Sequence, residues 1–474
     1  MYTGLETING SIYNISLPLG SFNESDVQTL ELFEKLLQFT AYTNDNLDDF
    51  FFIMNGVLVL FMQVGFACLE AGSVRYKNVG NIMLKNFLDS LICSIVFWLT
   101  GYAIAFGNGN AYIGWTWFAG VNFPDNLWSK WFFQYTFAST AGTILSGAVA
   151  ERSTFIAYLS YSLFMSGFIY PVAVHWTWTY QGWLKQLGFI DYAGGMLIHG
   201  VAGTACLVAA ILIGPRIGRF DKNSKNSFSS HSNALIGIGS IIILVGFCGF
   251  NAGTLSNFSK PHDGIIATII VRNTIMCGAG GALTTLFLGK FGAFNDKYWH
   301  FEFTVNGGIA GLVASCAGCD QFSPLESIIV GIFAAFIYTI LHHVILYFKI
   351  DDPLDSSPIH MGCGIWSVIS VPLIQHGGIF AHPINEVLQN LMIQIIGVLS
   401  ITAWSLCTCL ILFGILHLLN LLRCSEKSEI IGLDVASHNQ KMYPDYLSNS
   451  EFVDTIRHGT NTNGQVSVMC ATSM

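Results

Sequence analysis

The chain has 474 residues, of which 52% are hydrophobic and only 10% charged, and its formal net charge is -9. A soluble domain carries about a quarter charged residues, whereas here apolar runs of about 18 or more residues recur, the length a bilayer asks of a helix. These figures exclude a soluble globular protein and predict an integral membrane protein, and the lack of any basic block excludes a nucleic-acid partner.

Residues 1–47 are polar, with no basic start and apolar stretch of a cleavable leader. Three Asn-x-Ser sequons, at Asn9, Asn14 and Asn23, point to an extracellular segment open to glycosylation. Apolar spans follow near 50–69, 86–106, 131–150, 154–176, 192–213, 233–254, 264–288, 303–318, 325–348, 359–374 and 388–420, eleven in all, with the eighth and tenth short and rich in Gly. With the N-terminus outside, the inner loops hold Arg75, Lys77, Arg152, Arg216, Arg219, Lys222, Lys225, Lys290, Lys297 and Lys349, against Lys130, Lys185 and Lys260 outside. Basic residues collect on the cytoplasmic side, so the expected orientation is N-terminus outside and C-terminus inside. The sequon at Asn257 then also faces outward.

The expected domains are thus an extracellular segment 1–47, a membrane domain 48–422 and a cytoplasmic tail 423–474. The tail is either a solvated end or a regulatory segment packed on the inner loops, where a cytoplasmic regulator would meet it. The 12 cysteines fall mostly within apolar spans without ligand spacing, as buried small hydrophobes do.

Two stretches carry chemistry. Asp191-Tyr-Ala-Gly-Gly-Met-Leu-Ile-His199 opens the fifth span, and Asp352-Pro-Leu-Asp-Ser-Ser-Pro-Ile-His360 opens the tenth. In each, an acid stands eight residues before an Ile-His pair. Intramembrane histidines face an interior or a pore. With eleven spans, the echo predicts two inverted five-helix repeats plus one extra helix, with the histidines meeting near the midplane. Such a pair shares a proton, relays one, or is structural. A metal needs a third ligand at that depth and none is evident, and no cofactor is expected. Asp191 either caps its helix or favours a nearby cation, and Asp352 caps the tenth span. Trp176, Trp178 and Trp183 surround the outer end of span four, either as part of an interfacial belt or as a cation cage. Phe137 and Phe250, in Gly-rich spans, either pack or form a gate. Asn251 needs partners within the bundle, and Glu151 and Arg152 either pair or cap.

The chain resembles the ammonium transporter family (the Amt/Mep/Rh superfamily), closest to its plant-like AMT1 branch, from about residue 50 to 420. The resemblance rests on Gly65-Phe-Ala-Cys-Leu-Glu-Ala-Gly-Ser-Val-Arg-Tyr-Lys-Asn78, Ser146-Gly-Ala-Val-Ala-Glu-Arg152, Tyr170-Pro-Val-Ala-Val-His-Trp-Thr-Trp178, Gly249-Phe-Asn-Ala-Gly253, Asp351-Asp-Pro-Leu-Asp355 and the two Asp/His stretches. It implies a homotrimer of eleven-helix protomers in the plasma membrane, each with its own pore, and no enzyme. It implies an outer ammonium site at Trp178, Phe137 and Thr254 supported by Asp191, a gate of Phe137 and Phe250, and a twin-histidine pair, His199 and His360. Phe247 stands where some bacterial members have Trp, in the expected vestibule. A tail Thr of AMT1 relatives is Ala436 here, beside Ser437, and a Thr455-Ile-Arg-His-Gly459 run lies downstream. The implied activity is electrogenic ammonium uptake, with a Rh-like NH3/CO2 channel and an ammonium sensor signalling through the tail as alternatives.

Overall fold

The structure, a computed structural model, describes residues 3–8, 11–16, 24–222, 228–255 and 257–443. Backbone N–H and C=O groups find no water in hydrocarbon, so a spanning chain closes its hydrogen bonds within helices. Among the described residues, each expected span falls on a helical segment. These segments are α1 (Glu24–Ser73), α2 (Val79–Val96, continued through a π turn Phe97–Gly101 into Tyr102–Phe106), α3 (Trp128–Ala148) and α4 (Phe155–Phe164, a π turn Met165–Ile169, then Tyr170–Trp178). There follow α5 (a π turn Gly195–Gly200 and Val201–Ile213), α6 (Asn233–Gly253), α7 (Asp263–Lys290) and α8 (Phe301–Ser315). The last three are α9 (Pro324–Tyr347), α10 (a π turn Ser357–Gly362 and Cys363–Ile374) and α11 (Ile384–Leu418). Among the described residues nine helices are long and apolar enough to cross a membrane; α3, rich in Ser, Thr and Gly, and the short α8 are outside that group.

The surface is that of a bilayer protein. Phe87, Leu91 and Ile95 on α2 and Leu399 and Ile411 on α11 are exposed, while Glu70, His199 and Asn251 are buried. Two features differ from the expectation. The 50 residues of α1 begin well before the first apolar span, giving a rod of about 75 Å against a hydrocarbon core of about 30 Å. The N-terminal segment also holds a hairpin, Thr3–Ile8 antiparallel to Ser11–Ser16, so the fold of the described residues is all-α apart from this pair of strands. Asn14 lies in the second strand; Asn9 and Asn23, like Thr455–Gly459, lie outside the described residues.

Ion pairs tie the ends of alternate helices together on one face of the bundle. After α1, Arg75 donates its backbone N–H to Glu151 at 2.7 Å and its guanidinium at 2.5 Å. Glu151, in the turn after α3, also faces Arg216 of the loop after α5. Arg216 grips Asp351, which follows α9, at 2.8 and 2.9 Å. Glu151 and Arg152 therefore do not pair with each other. Arg152, fully buried, donates instead to the carbonyls of Gly214, Ala150 and Asp351. The tail folds onto this face: Asp434 accepts from Gly80 N and Asn81 N, and Glu429 bonds Arg423 and Ile217 N.

Two crossings have no room for side chains. A Cβ on Gly203 of α5 would lie 2.1 Å from the backbone N of Met361, and one on Gly364 of α10 would lie 2.4 Å from Gly195 O. Glycine there lets the backbones of α5 and α10 touch. A second reciprocal contact joins α1 to α6, where a Cβ on Gly65 would lie 2.9 Å from Gly239 O and one on Gly239 2.5 Å from Gly65 O.

Burial alone would raise the Asp351 carboxyl, but the hydrogen bonds and charge of Arg216, with Arg152 nearby, hold it well below the usual carboxylate range. A depressed carboxyl stabilises the fold above the unfolded value and loses that contribution only as pH falls through the folded one. Removing one partner of a buried pair strands the other charge, so Asp351→Asn is expected to cost about 3 kcal/mol at neutral pH. Thermal unfolding in detergent checks this, and a parent-like midpoint would show that the Arg216 pair holds nothing together.

Candidate functional site

The site begins at two helix starts. Asp191 is buried, and Oδ1 accepts from Gly194 N (3.1 Å) and Gly195 N (2.7 Å), Oδ2 from Met196 N and Leu197 N (both 2.9 Å). These are the donors a first turn leaves without helical partners, so one carboxylate caps α5. Gly194 turns the chain into the helix at a φ of +91°, a conformation open to Gly. The π turn Gly195–Gly200 that follows carries His199. Asp352 repeats the device: its Oδ2 accepts from Ser357 N at 2.7 Å and Ser357 Oγ at 2.6 Å, and the π turn Ser357–Gly362 carries His360. The acid eight residues before each histidine is thus a cap. The wider π turn, a feature frequent at functional sites, follows from nothing in the residue types.

The backbone contact at Gly203 and Gly364 brings the two turns together. His199 Nδ1 lies 3.1 Å from His360 Nδ1, with ring centroids 5.2 Å apart and nearly parallel at 17°. A hydrogen bond between like nitrogens needs one of them protonated and one bare. The pair therefore holds one proton between the rings, and its outer nitrogens are unlike: one donates, the other accepts. His199 Nε2 is buried without a protein partner among the described residues.

Aromatic rings continue the line on both sides. Trp178 lies 6.0 Å from Phe137, and Phe137 stacks on Phe250 at 4.1 Å and 19°. Phe250 is 5.6 Å from His199, and Phe66 is 6.4 Å from His360 on the other side. At 4.1 Å between centroids Phe137 and Phe250 are in van der Waals contact. The Trp178 indole is held by a 2.8 Å hydrogen bond from Nε1 to Asp191 O, which joins the cap of α5 to the Trp178 end of the line.

Other expected residues are placed as follows. Thr254 ends α6 one turn beyond Phe250 and donates to the Phe250 carbonyl at 3.1 Å, leaving its oxygen as an acceptor. Trp176 and Trp183 do not join Trp178 in a cage: they pack on each other at 5.8 Å, and Trp176 on Trp404 at 5.5 Å. Phe247 is not a vestibule residue but stacks on His199 at 5.4 Å and 19°. Asn251 finds its partners, donating to Thr274 Oγ1 (2.8 Å) and Ser315 Oγ (3.0 Å). Phe66 and the place of Phe247 are not foreseen from the residues. Among 37 Phe residues nothing in their spacing marks these two.

A family model described as "Ammonium Transporter Family" matches residues 50–443. A relative from Caenorhabditis elegans bearing an ammonium-transporter name is 39% identical over 428 residues, covering 84% of this chain and 79% of the relative. "Ammonium transporter 1 member 3" of Solanum lycopersicum is 34% identical over 436 residues, covering 85% and 94%. With an animal and a plant protein at comparable identity, no branch of the family is singled out. Among solved structures, one named "Sensor Amt Protein" superposes with a TM-score of 0.78 at 31% identity, covering 84% of this chain and 99% of that one.

Asp191→Ala leaves four buried N–H groups without an acceptor and frees the turn that holds His199. A lost cap costs about 0.5–2 kcal/mol and stranded buried donors add to it, so a loss near the top of that range or above is expected in detergent-solubilised protein. A parent-like melting curve would show that Asp191 does not hold the turn.

Proposed function

The chain belongs to the ammonium transporter family, and on that premise we propose that it takes up ammonium across the plasma membrane. The observation that carries the reading is the line of rings from Trp178 to the pair His199 and His360, whose Nδ1 atoms lie 3.1 Å apart. NH4+ is recruited outside against the faces of Trp178 and Phe137 by cation–π attraction, with the Thr254 oxygen as acceptor. Asp191, its oxygens taken by amides, supports the site through the turn and the Trp178 bond and does not touch the ion.

A bare cation pays heavily for leaving water, so NH4+ gives up a proton on passing Phe137 and Phe250: an N–H bond breaks and the proton goes to the open Nε2 of His199. Neutral NH3 then passes the histidines. It both donates and accepts, and the pair presents one donor and one acceptor nitrogen to it. The proton crosses through the same pair, each ring taking it on one nitrogen and releasing it from the other, so uptake is electrogenic. K+ has no proton to lose and stops at the gate, which makes selectivity chemical.

The reading includes eleven spanning helices in inverted five-helix repeats, with the N-terminus outside and the C-terminus inside. The reciprocal Gly crossings of α1 with α6 and α5 with α10 support the repeat, and the excess of Lys and Arg in one set of loops supports the orientation. It also includes assembly as a homotrimer, residues 48–422 as the transport domain, and glycosylation of the outward sequons, among them Asn257. A sensing role through the tail is the second reading. It is favoured by the docking of Asp434 and Glu429 on the inner loops and by the likeness to a solved structure that is named a sensor.

Voltage-clamped oocytes test the proposal. The parent is expected to give inward current with ammonium and none with K+. His199→Ala combined with His360→Ala is expected to lose about a hundredfold or more of the ammonium current, the lower range for a positioned proton-transfer group, or to lose K+ exclusion. A double variant that kept both current and exclusion would overturn the role of the pair.

A further inference from the structure

Beyond His360 the line of rings opens on a cavity of about 20 Å³, lined by Phe66, Glu70, Asn306, Ser356 and His360 among others. That volume holds a single water or a molecule of its size. Glu70 is the one acid among its lining residues, and its carboxylate is fixed in place. It accepts Ser146 Oγ of α3 at 2.5 Å and Asn86 Nδ2 of α2 at 2.8 Å. The charged groups acting on it are Lys85 and Asp89, both on α2. Lys85 is itself held at 2.8 Å by Ser153 Oγ, and Asp89 accepts from Thr143 Oγ1 at 3.0 Å and from Ser162. Facing Glu70 across the cavity, α10 offers His360 and α8 offers Asn306.

A buried carboxyl group inside a membrane bundle is rare unless it is used or paired, and this one lines the same cavity as His360. We propose that Glu70 is the inner proton acceptor and donor of the transport cycle. The inference rests on the electrogenic reading given above. The proton surrendered by NH4+ at the gate crosses the histidine pair, leaves the outward nitrogen of His360 and reaches the Glu70 carboxylate through one water in the cavity. NH3 then takes the place of that water and accepts the proton: the O–H bond of Glu70 breaks, an N–H bond forms, and Glu70 is left ready for the next proton. One NH4+ enters, one leaves, and no other reactant is needed. The carboxylate also draws the ion it has made away from the histidines. Without Glu70 no other acid among the described residues lines the cavity beside His360, and ammonia crosses uncoupled from charge.

The test is the charge moved per nitrogen taken up, measured in voltage-clamped oocytes with 15N-ammonium, for the full-length parent, Glu70→Gln and Glu70→Asp. Glutamine keeps the shape and an acceptor oxygen but carries no transferable acid proton. The expected result is parity in the parent, a fall of about a hundredfold or more in charge per nitrogen for Glu70→Gln, as for loss of a general acid, and an intermediate ratio for Glu70→Asp. A ratio at parity in Glu70→Gln overturns the proposal whether or not the rate falls, because a misfolded or narrowed pore lowers charge and nitrogen together. A parent that takes up nitrogen without charge overturns the electrogenic reading and this inference with it. Failure in Glu70→Gln alone leaves that reading standing.

Discussion

Two helices that carry histidines touch backbone to backbone. The contact of α5 with α10 at Gly203 and Gly364 sets the distance between His199 and His360, and the rest of the site follows from that distance. At 3.1 Å the Nδ1 atoms share a proton; separated by one methyl group on either glycine they would not. The π turns that present the rings, and the buried acids Asp191 and Asp352 that cap those turns, hold the pair at that spacing. A bilayer offers no water to repair a loosened turn, so the caps are as much part of the site as the rings.

The same economy of polar groups runs through the bundle. Asn251, Glu70, Asp89 and Gln63 lie inside, each with hydrogen-bonding partners on neighbouring helices. On one face of the bundle the Arg75, Glu151, Arg216 and Asp351 chain binds the ends of helices far apart in sequence. Such networks give helices of apolar exterior a single arrangement, which van der Waals packing among lipid-like side chains specifies weakly.

Much of this was legible in the residues. The echo of acid and Ile-His identified both histidines, assigned them to one place and offered capping as the role of each acid, because spacing along one helix is local information. Positions of spans followed from apolar length. What was not legible depends on partners distant in the chain. Phe66 and Phe247 look like any lipid-facing Phe until α1 and α6 are laid beside the histidines. The acid at Glu70 reads as part of a motif until Ser146, Asn86 and the cavity surround it. The early start of α1 was hidden because residues 24–49 mix charged and apolar side chains, a pattern that fits a helix in water as well as a loose tail. Glu151 and Arg152 are neighbours in sequence yet point to different partners, which sequence adjacency misrepresents.

The central claim is that one proton lies between the two rings, so that the pair offers a donor on one side and an acceptor on the other. Solid-state NMR of 15N-histidine-labelled protein in lipid, with the two signals assigned through single His→Ala variants, reads the protonation of each ring nitrogen directly. The account predicts opposite tautomers: one ring protonated at Nδ1 and bare at Nε2, the other bare at Nδ1 and protonated at Nε2. The same tautomer on both rings would leave their contact with no proton or with two, and would contradict it.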